Sequence, residues 1–104
     1  MKLQELIVKV KEKNLTKDQL EEYRNDMSEI FAQMQLEMAD LEKEEALFMD
    51  IYTINKRGNE ASGVDKKIAW KATEAGQRLI VLKRYALATK ELLNSLKSRL
   101  YSIY

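Results

Sequence analysis

The chain has 104 residues and a net charge of +1; 45% of its residues are hydrophobic, 34% are charged, none is proline and three are glycine. This balance is too apolar for a disordered chain, and the scarcity of helix breakers predicts an all-α protein with long helices. Histidine and cysteine are absent, which excludes the commonest general base, thiolate chemistry and disulfides, so we expect a non-enzymatic protein without a cofactor or a metal site.

The N-terminal segment carries apolar residues at helical spacing, which predicts a short first helix over about residues 2–13. Thr16 and Gln19 then have the spacing of a capping box, in which each side chain bonds the backbone N–H of the other residue. A second, long helix is therefore expected from about residue 17 to residue 56. One row of its apolar residues recurs at every seventh position: Leu20, Met27, Met34, Leu41 and Phe48.

A polar cluster with two glycines predicts a turn at about residues 57–63, where the chain reverses direction. Ser62 and Asp65 form a second capping pattern, so a third helix is expected over about residues 64–102. The predicted architecture is one helical domain, residues 1–104, in which a short helix precedes a long antiparallel, coiled-coil-like hairpin. The seam of the third helix follows alternating steps of three and four residues: Ala72, Ala75, Leu79, Leu82, Ala86, Thr89, Leu93, Leu96, Leu100 and Ile103.

The third helix carries more apolar residues than one partner helix can cover, because a contact between two helices needs only a narrow stripe. We therefore expect the chain to bind copies of itself, as a dimer or a higher oligomer. Gly76 lies among the small residues of the seam, and this position favours close helix packing over a hinge. The predicted interface with another copy or another partner comprises Ile80, Leu87, Leu92, Leu93, Leu96, Leu100 and Tyr101.

Charge is divided unevenly along the chain. Residues 1–57 carry nine Lys/Arg and thirteen Asp/Glu, whereas residues 58–104 carry nine and four, which gives net charges of −4 and +5. Two explanations are open. The basic residues of the third helix pair with the acidic second helix and set the register of the hairpin, or basic residues of neighbouring copies form a track for a phosphate backbone.

The second explanation has candidate residues near the turn and along the third helix. Trp70 is available there for stacking on a base, although packing in a core or an interface is the commoner role of tryptophan. The predicted nucleic-acid-binding residues are Lys66, Lys67, Trp70, Lys71, Arg78, Lys83 and Arg84.

The chain from about Leu36 onward shows a charged long helix ending at Ile51-Tyr52, a polar turn and then three short basic patterns. These patterns are Lys71-Ala72-Thr73-Glu74-Ala75, Leu82-Lys83-Arg84-Tyr85 and Leu96-Lys97-Ser98-Arg99-Leu100. In this arrangement the chain resembles small accessory proteins of phage recombination and replication, especially UvsY-like recombination mediators. The resemblance implies helical oligomers that bind single-stranded DNA and help to load a recombinase over single-strand-binding protein.

An alternative function fits the same helical pattern. Small phage proteins also bind and block a host protein, such as the replicative helicase loader or a defence factor, and a purely structural coiled-coil adaptor is a third reading. The N-terminal sequence mixes charged and apolar residues without the apolar run of a signal peptide or a transmembrane helix. We therefore expect no membrane contact and a location in the cytoplasm of the bacterial host cell.

Overall fold

The computed structural model describes residues 2–103, and the fold in this range is helical. Its long second helix packs antiparallel to its last helix, which confirms the predicted all-α hairpin preceded by a short helix. No helix among the described residues combines the length and the apolar character needed to cross a membrane. The helices are α1 (Leu3–Val10), α2 (Lys17–Ile51), α3 (Gly63–Lys71) and α4 (Glu74–Ile103).

Contacts along the hairpin divide the chain into two compact units. The first unit contains the residues up to Gln35 and those from Tyr85 onward, and the second unit is Leu36–Arg84. The sequence predicts a single domain, whereas the contacts group around two centres. Each unit is therefore described by itself.

The first unit is built around a core to which three helices contribute. Leu6 of α1 and Leu96 of α4 are completely buried, and Met27 of α2 lies with them. The predicted capping box begins α2, since the N–H of Gln19 donates to the Thr16 hydroxyl at 3.2 Å and the N–H of Thr16 donates to the Gln19 side chain at 2.9 Å. The buried core residues are Leu6, Val10, Leu20, Tyr23, Met27, Leu93, Leu96 and Leu100.

In the second unit the predicted continuous helix over residues 64–102 is interrupted at Ala72 and Thr73. The physical reason is a side-chain cap. The Thr73 hydroxyl donates to the carbonyl of Trp70 at 2.6 Å and accepts the N–H of Gly76 at 3.0 Å, so it ends α3 and begins α4. Gly76 is required at this junction, because a Cβ there would lie 2.0 Å from the Trp70 carbonyl oxygen. Glycine at this position therefore allows the first turn of α4 to lie close to the last turn of α3.

The segment between α2 and α3 also differs from the prediction, since α2 ends at Ile51 and not near residue 56. A short antiparallel bridge joins Ile54 to Glu60, and Gly58 supplies the turn with a φ of +80°. The side-chain oxygen of Asn55 accepts two backbone N–H groups, from Arg57 at 3.0 Å and from Asn59 at 3.1 Å. Such local bonds compete with helix hydrogen bonds, which explains the early end of α2.

Candidate protein-binding surface

The second unit contains a cleft with a volume of about 590 Å³ between the end of α2, the connecting segment and α3. Such a volume lies within the range of roughly 300 to 1,000 Å³ found for ligand sites in proteins. Its walls combine aromatic and aliphatic side chains with a few polar groups. The lining residues are Phe48, Tyr52, Asn55, Lys56, Arg57, Asp65, Ile68, Ala69, Ala72 and Thr73.

Three aromatic rings pack together at the cleft. Phe48 lies in the last turn of α2 and Tyr52 directly follows the helix, and their rings stack with centroids 5.4 Å apart. Behind them, the Trp70 ring lies 5.6 Å from Phe48 in a tilted arrangement. Trp70 itself is only 5% exposed, so it supports the wall and does not present its face to solvent.

Asp65 connects the first turn of α3 to the connecting segment. Its carboxylate accepts the backbone N–H of Ser62 at 2.9 Å and the side-chain amide of Asn55 at 3.2 Å, and its own N–H donates to the Ser62 hydroxyl at 3.1 Å. The predicted capping box is thus confirmed. The backbone bond from Ser62, followed by the side chains of Asn55 and Ser62, lowers the pKa of Asp65. The charged carboxylate is therefore committed to holding the segment in place.

Lys56 and Arg57 contribute the positive charge of the cleft lining. Both residues are exposed, and neither forms an ion pair with another residue in the range 2–103. Lys56 and Arg57 outweigh the single carboxylate of Asp65, so the lining carries a net positive charge, and the charge of Arg57 also helps to lower the pKa of Asp65. A carboxylate on a bound molecule would complement this charge.

Exposed apolar side chains surround the cleft. Ile51, Ile54 and Ile68 are exposed by 62% to 78%, and a shallower depression of about 280 Å³ lies next to Ile51 and Ile54. Leu47 of α2 and Val64 of α3 are also exposed, by 63% and 66%. Apolar patches of this kind are characteristic of surfaces that bind other proteins.

The predicted nucleic-acid-binding residues fall into three groups. Trp70 is buried, which corrects its assignment to base stacking, because Phe48 packs against the ring. Arg78 makes a two-point contact with Glu37, with Nε to Oε1 at 2.9 Å and Nη2 to Oε2 at 3.2 Å. This pair between α4 and α2 agrees with the helix-pairing explanation.

The remaining cations stay available to a partner. Lys66 is half-buried, whereas Lys67, Lys71, Lys83 and Arg84 are exposed. Within the described part of the chain, none of these side chains is engaged in an ion pair. They lie on two different helices, α3 and α4.

The predicted interface residues of α4 divide in a similar way. Leu93, Leu96 and Leu100 are buried inside the first unit, which corrects their assignment to an intermolecular surface. The physical reason is that α1 supplies Leu6 and Val10 to cover them. Leu92 also packs against this core and Ile80 is half-buried, while Leu87 and Tyr101 are 61% and 79% exposed.

Sequence reasoning assigned no binding role to the residues that form the cleft. The sequence pattern predicts Phe48 in the helical seam, Tyr52, Asn55 and Lys56 in the last part of the second helix, and Arg57 in the adjoining turn. A signal was present in the run Thr53-Ile54-Asn55, because β-branched residues followed by asparagine disfavour the helix interior.

Comparisons with protein-family models, with curated proteins and with solved structures find no match for this chain. The resemblance to phage recombination mediators therefore stays a prediction. The function is inferred from the surface of the second unit.

Proposed function

We propose that this chain is a non-enzymatic accessory protein of phage-type DNA replication or recombination, acting in the bacterial cytoplasm by binding other proteins and copies of itself. The observation that carries the proposal is the apolar-lined cleft of about 590 Å³ in the second unit. The phage setting rests on the resemblance of the sequence pattern. In that setting the partner is a recombinase or a single-strand-binding protein.

Protein binding fits the cleft because aromatic and aliphatic walls recognise apolar side chains, while a small number of polar groups fixes the orientation of the bound segment. Phe48, Tyr52 and Ile68 provide the apolar walls, and Lys56 and Arg57 provide charge at the lining. The same features serve the alternative function, in which the chain blocks a host replication or defence protein. The identity of the captured protein distinguishes the two.

The decisive experiment fills the cleft. Ala69 lies on α3 and lines the cleft, so Ala69→Arg places a long side chain in it while keeping a good helix former. The matched control is Ala88→Arg, the same substitution at an exposed position of α4. Each variant is immobilised, exposed to bacterial lysate, and its bound proteins are identified by mass spectrometry.

We expect wild type and Ala88→Arg to retain the same protein and Ala69→Arg to lose it. Circular dichroism checks that both variants keep their helix content. If Ala69→Arg captures the same proteins as wild type, the cleft is not the binding site and the proposal is wrong.

Single-stranded DNA binding is the second candidate function, and the exposed cations Lys67, Lys71, Lys83 and Arg84 favour it. Phosphate contacts release condensed counterions, so removing them weakens binding to all sequences and flattens its salt dependence. Fluorescence anisotropy with a labelled oligonucleotide tests this with Lys67→Ala plus Lys71→Ala against a control with Lys90→Ala plus Lys97→Ala. No binding by wild type at low salt, up to tens of micromolar protein, rules this candidate out.

A further inference from the structure

One exposed face of α2 in the second unit combines acidic and apolar residues. Asp40, Glu44, Leu47 and Ile51 follow steps of four, three and four residues, so they lie along one side of the helix. All four are exposed, with Leu47 at 63% and Ile51 at 78%. From Glu44 onward the order is therefore acidic, apolar, apolar, in steps of three and four. This face is called the acidic stripe.

An exposed face of α3 has the opposite charge. Val64 and Ile68 are 66% and 63% exposed, and Lys67 and Lys71 are exposed beside them. Read from the C-terminal end of α3, the order is basic Lys71, apolar Ile68, apolar Val64, again in steps of three and four. This face is called the basic stripe.

Three residues of each stripe match when the helices run antiparallel, and Asp40 and Lys67 add charge beside the matched part. The identical steps place Lys71 opposite Glu44. They also place Ile68 opposite Leu47 and Val64 opposite Ile51. The matched part spans eight residues of each helix, a length of about 10 Å. The carboxylates of Asp40 and Glu44 and the ammonium groups of Lys67 and Lys71 form no ion pairs within the range 2–103, so their charges are free for this contact.

We infer that the acidic stripe of one copy binds the basic stripe of a second copy, so that the chain forms a two-fold symmetric dimer through its second unit. In such a dimer each stripe is used once by each copy, and the contact therefore occurs twice. Burial of Leu47, Ile51, Val64 and Ile68 stabilises the dimer, and the charges set its register. The inference rests on the self-association included in the proposed function, and it moves the interface away from α4.

A charge exchange tests the pairing. Variant one carries Lys67→Glu and Lys71→Glu, which gives both of its stripes negative charge. Variant two carries Asp40→Lys and Glu44→Lys, which gives both of its stripes positive charge. Each variant opposes like charges in its own dimer, whereas a mixture of the two restores opposite charges at both contacts.

Light scattering and native mass spectrometry measure the result. Wild type is expected at about twice the 12.2 kDa of one chain. Each variant alone should dimerise at least about tenfold more weakly, and their equimolar mixture should form a heterodimer with near wild-type affinity. Restoration in the mixture also shows that both variants are folded.

The control with Lys90→Glu and Lys97→Glu makes the same charge change at exposed positions of α4 and should dimerise like wild type. A dimer that both charge variants leave unchanged overturns the stripe pairing but keeps self-association. A wild type that stays monomeric at high micromolar concentration overturns both, and capture of a partner through the cleft is then judged separately with Ala69→Arg.

Discussion

The two units use their apolar residues in opposite ways. Of the fourteen buried hydrophobic residues found within the range 2–103, ten belong to the first unit and four to the second. Of the eleven large hydrophobic residues exposed in that range, four belong to the first unit and seven to the second. The first unit therefore buries most of its large apolar residues in a core, whereas the second leaves most of them exposed.

The difference follows from α1. This helix of eight residues inserts Leu6 and Val10 into the first unit, where they complete a core between α2 and α4. In the second unit, α3 contributes buried Trp70 but leaves Val64 and Ile68 exposed. A helix with apolar residues can cover a core or leave them exposed to solvent; α1 does the first, and α3 does the second with Val64 and Ile68.

The largest expected effect concerns the core of the first unit. Leu96 is fully buried, so Leu96→Ala should lower the free energy of unfolding by about 2–5 kcal/mol through lost burial and a cavity. Leu87→Ala is the matched control on the same helix; it is 61% exposed and should change stability by less than about 0.5 kcal/mol. Urea denaturation measures both. If both variants lost the same free energy of unfolding, the contrast between buried Leu96 and exposed Leu87 would be wrong.

The second prediction addresses the junction between α3 and α4. Gly76→Ala should cost about 1–3 kcal/mol, because the new Cβ meets the Trp70 carbonyl oxygen at 2.0 Å and the backbone must shift. Trp70 is the sole tryptophan, so its fluorescence reports the shift directly. Gly63→Ala is the control; no atom lies within 4 Å of its added Cβ, and stability should be kept or slightly raised. An unchanged Trp70 spectrum in Gly76→Ala would refute the close approach.

A third prediction concerns how α1 is held. The Arg99 guanidinium donates to the carbonyl of Val10 at 2.6 Å and to the carbonyl of Glu12 at 3.1 Å, at the C-terminal end of α1. The C-terminal end of a helix carries a partial negative charge, so the positive guanidinium is well placed beside these carbonyls. Arg99→Ala should therefore cost about 1 kcal/mol and increase amide hydrogen exchange in α1 more than in α3. Arg99→Lys should recover part of the loss, and equal exchange in both helices would count against this role.

The smallest effect is the pH dependence of the α3 cap. Hydrogen bonds from Ser62 and Asn55 lower the pKa of Asp65 in the folded chain, so the carboxylate stabilises the fold above its unfolded pKa. This contribution is lost as the pH falls through the lowered folded pKa. Wild type should thus be more stable than Asp65→Asn near neutral pH, and the difference should vanish in acid. A difference that stays constant over an acid titration would exclude the charge as its cause.

Much of the helical fold could be predicted because its signals are local. The step pattern of α4 correctly placed Leu79, Leu82 and Ala86 in a buried seam, and the two capping boxes have the predicted partners. The candidate binding surface could not be predicted in the same way. Whether an apolar residue of α4 faces another copy or α1 depends on where α1 folds back, and the pattern of α4 contains no information about that.

The sequence by itself determined the all-α class, the start of α2 at a capping box and the apolar periodicity of α4, since each depends on residues within a few positions of one another. Tertiary structure decided which of the apolar residues stay exposed. The break at Thr73 is a local feature, since the hydroxyl bonds Trp70 and Gly76 three residues away on either side. Tertiary structure also decided the cleft beside Phe48, where the Trp70 ring of α3 packs against the Phe48 ring of α2. The exposure of these apolar residues and the cleft both depend on contacts between segments that are distant along the chain. The free energy of such contacts depends on the packing of the whole molecule and cannot be derived from neighbouring residues alone.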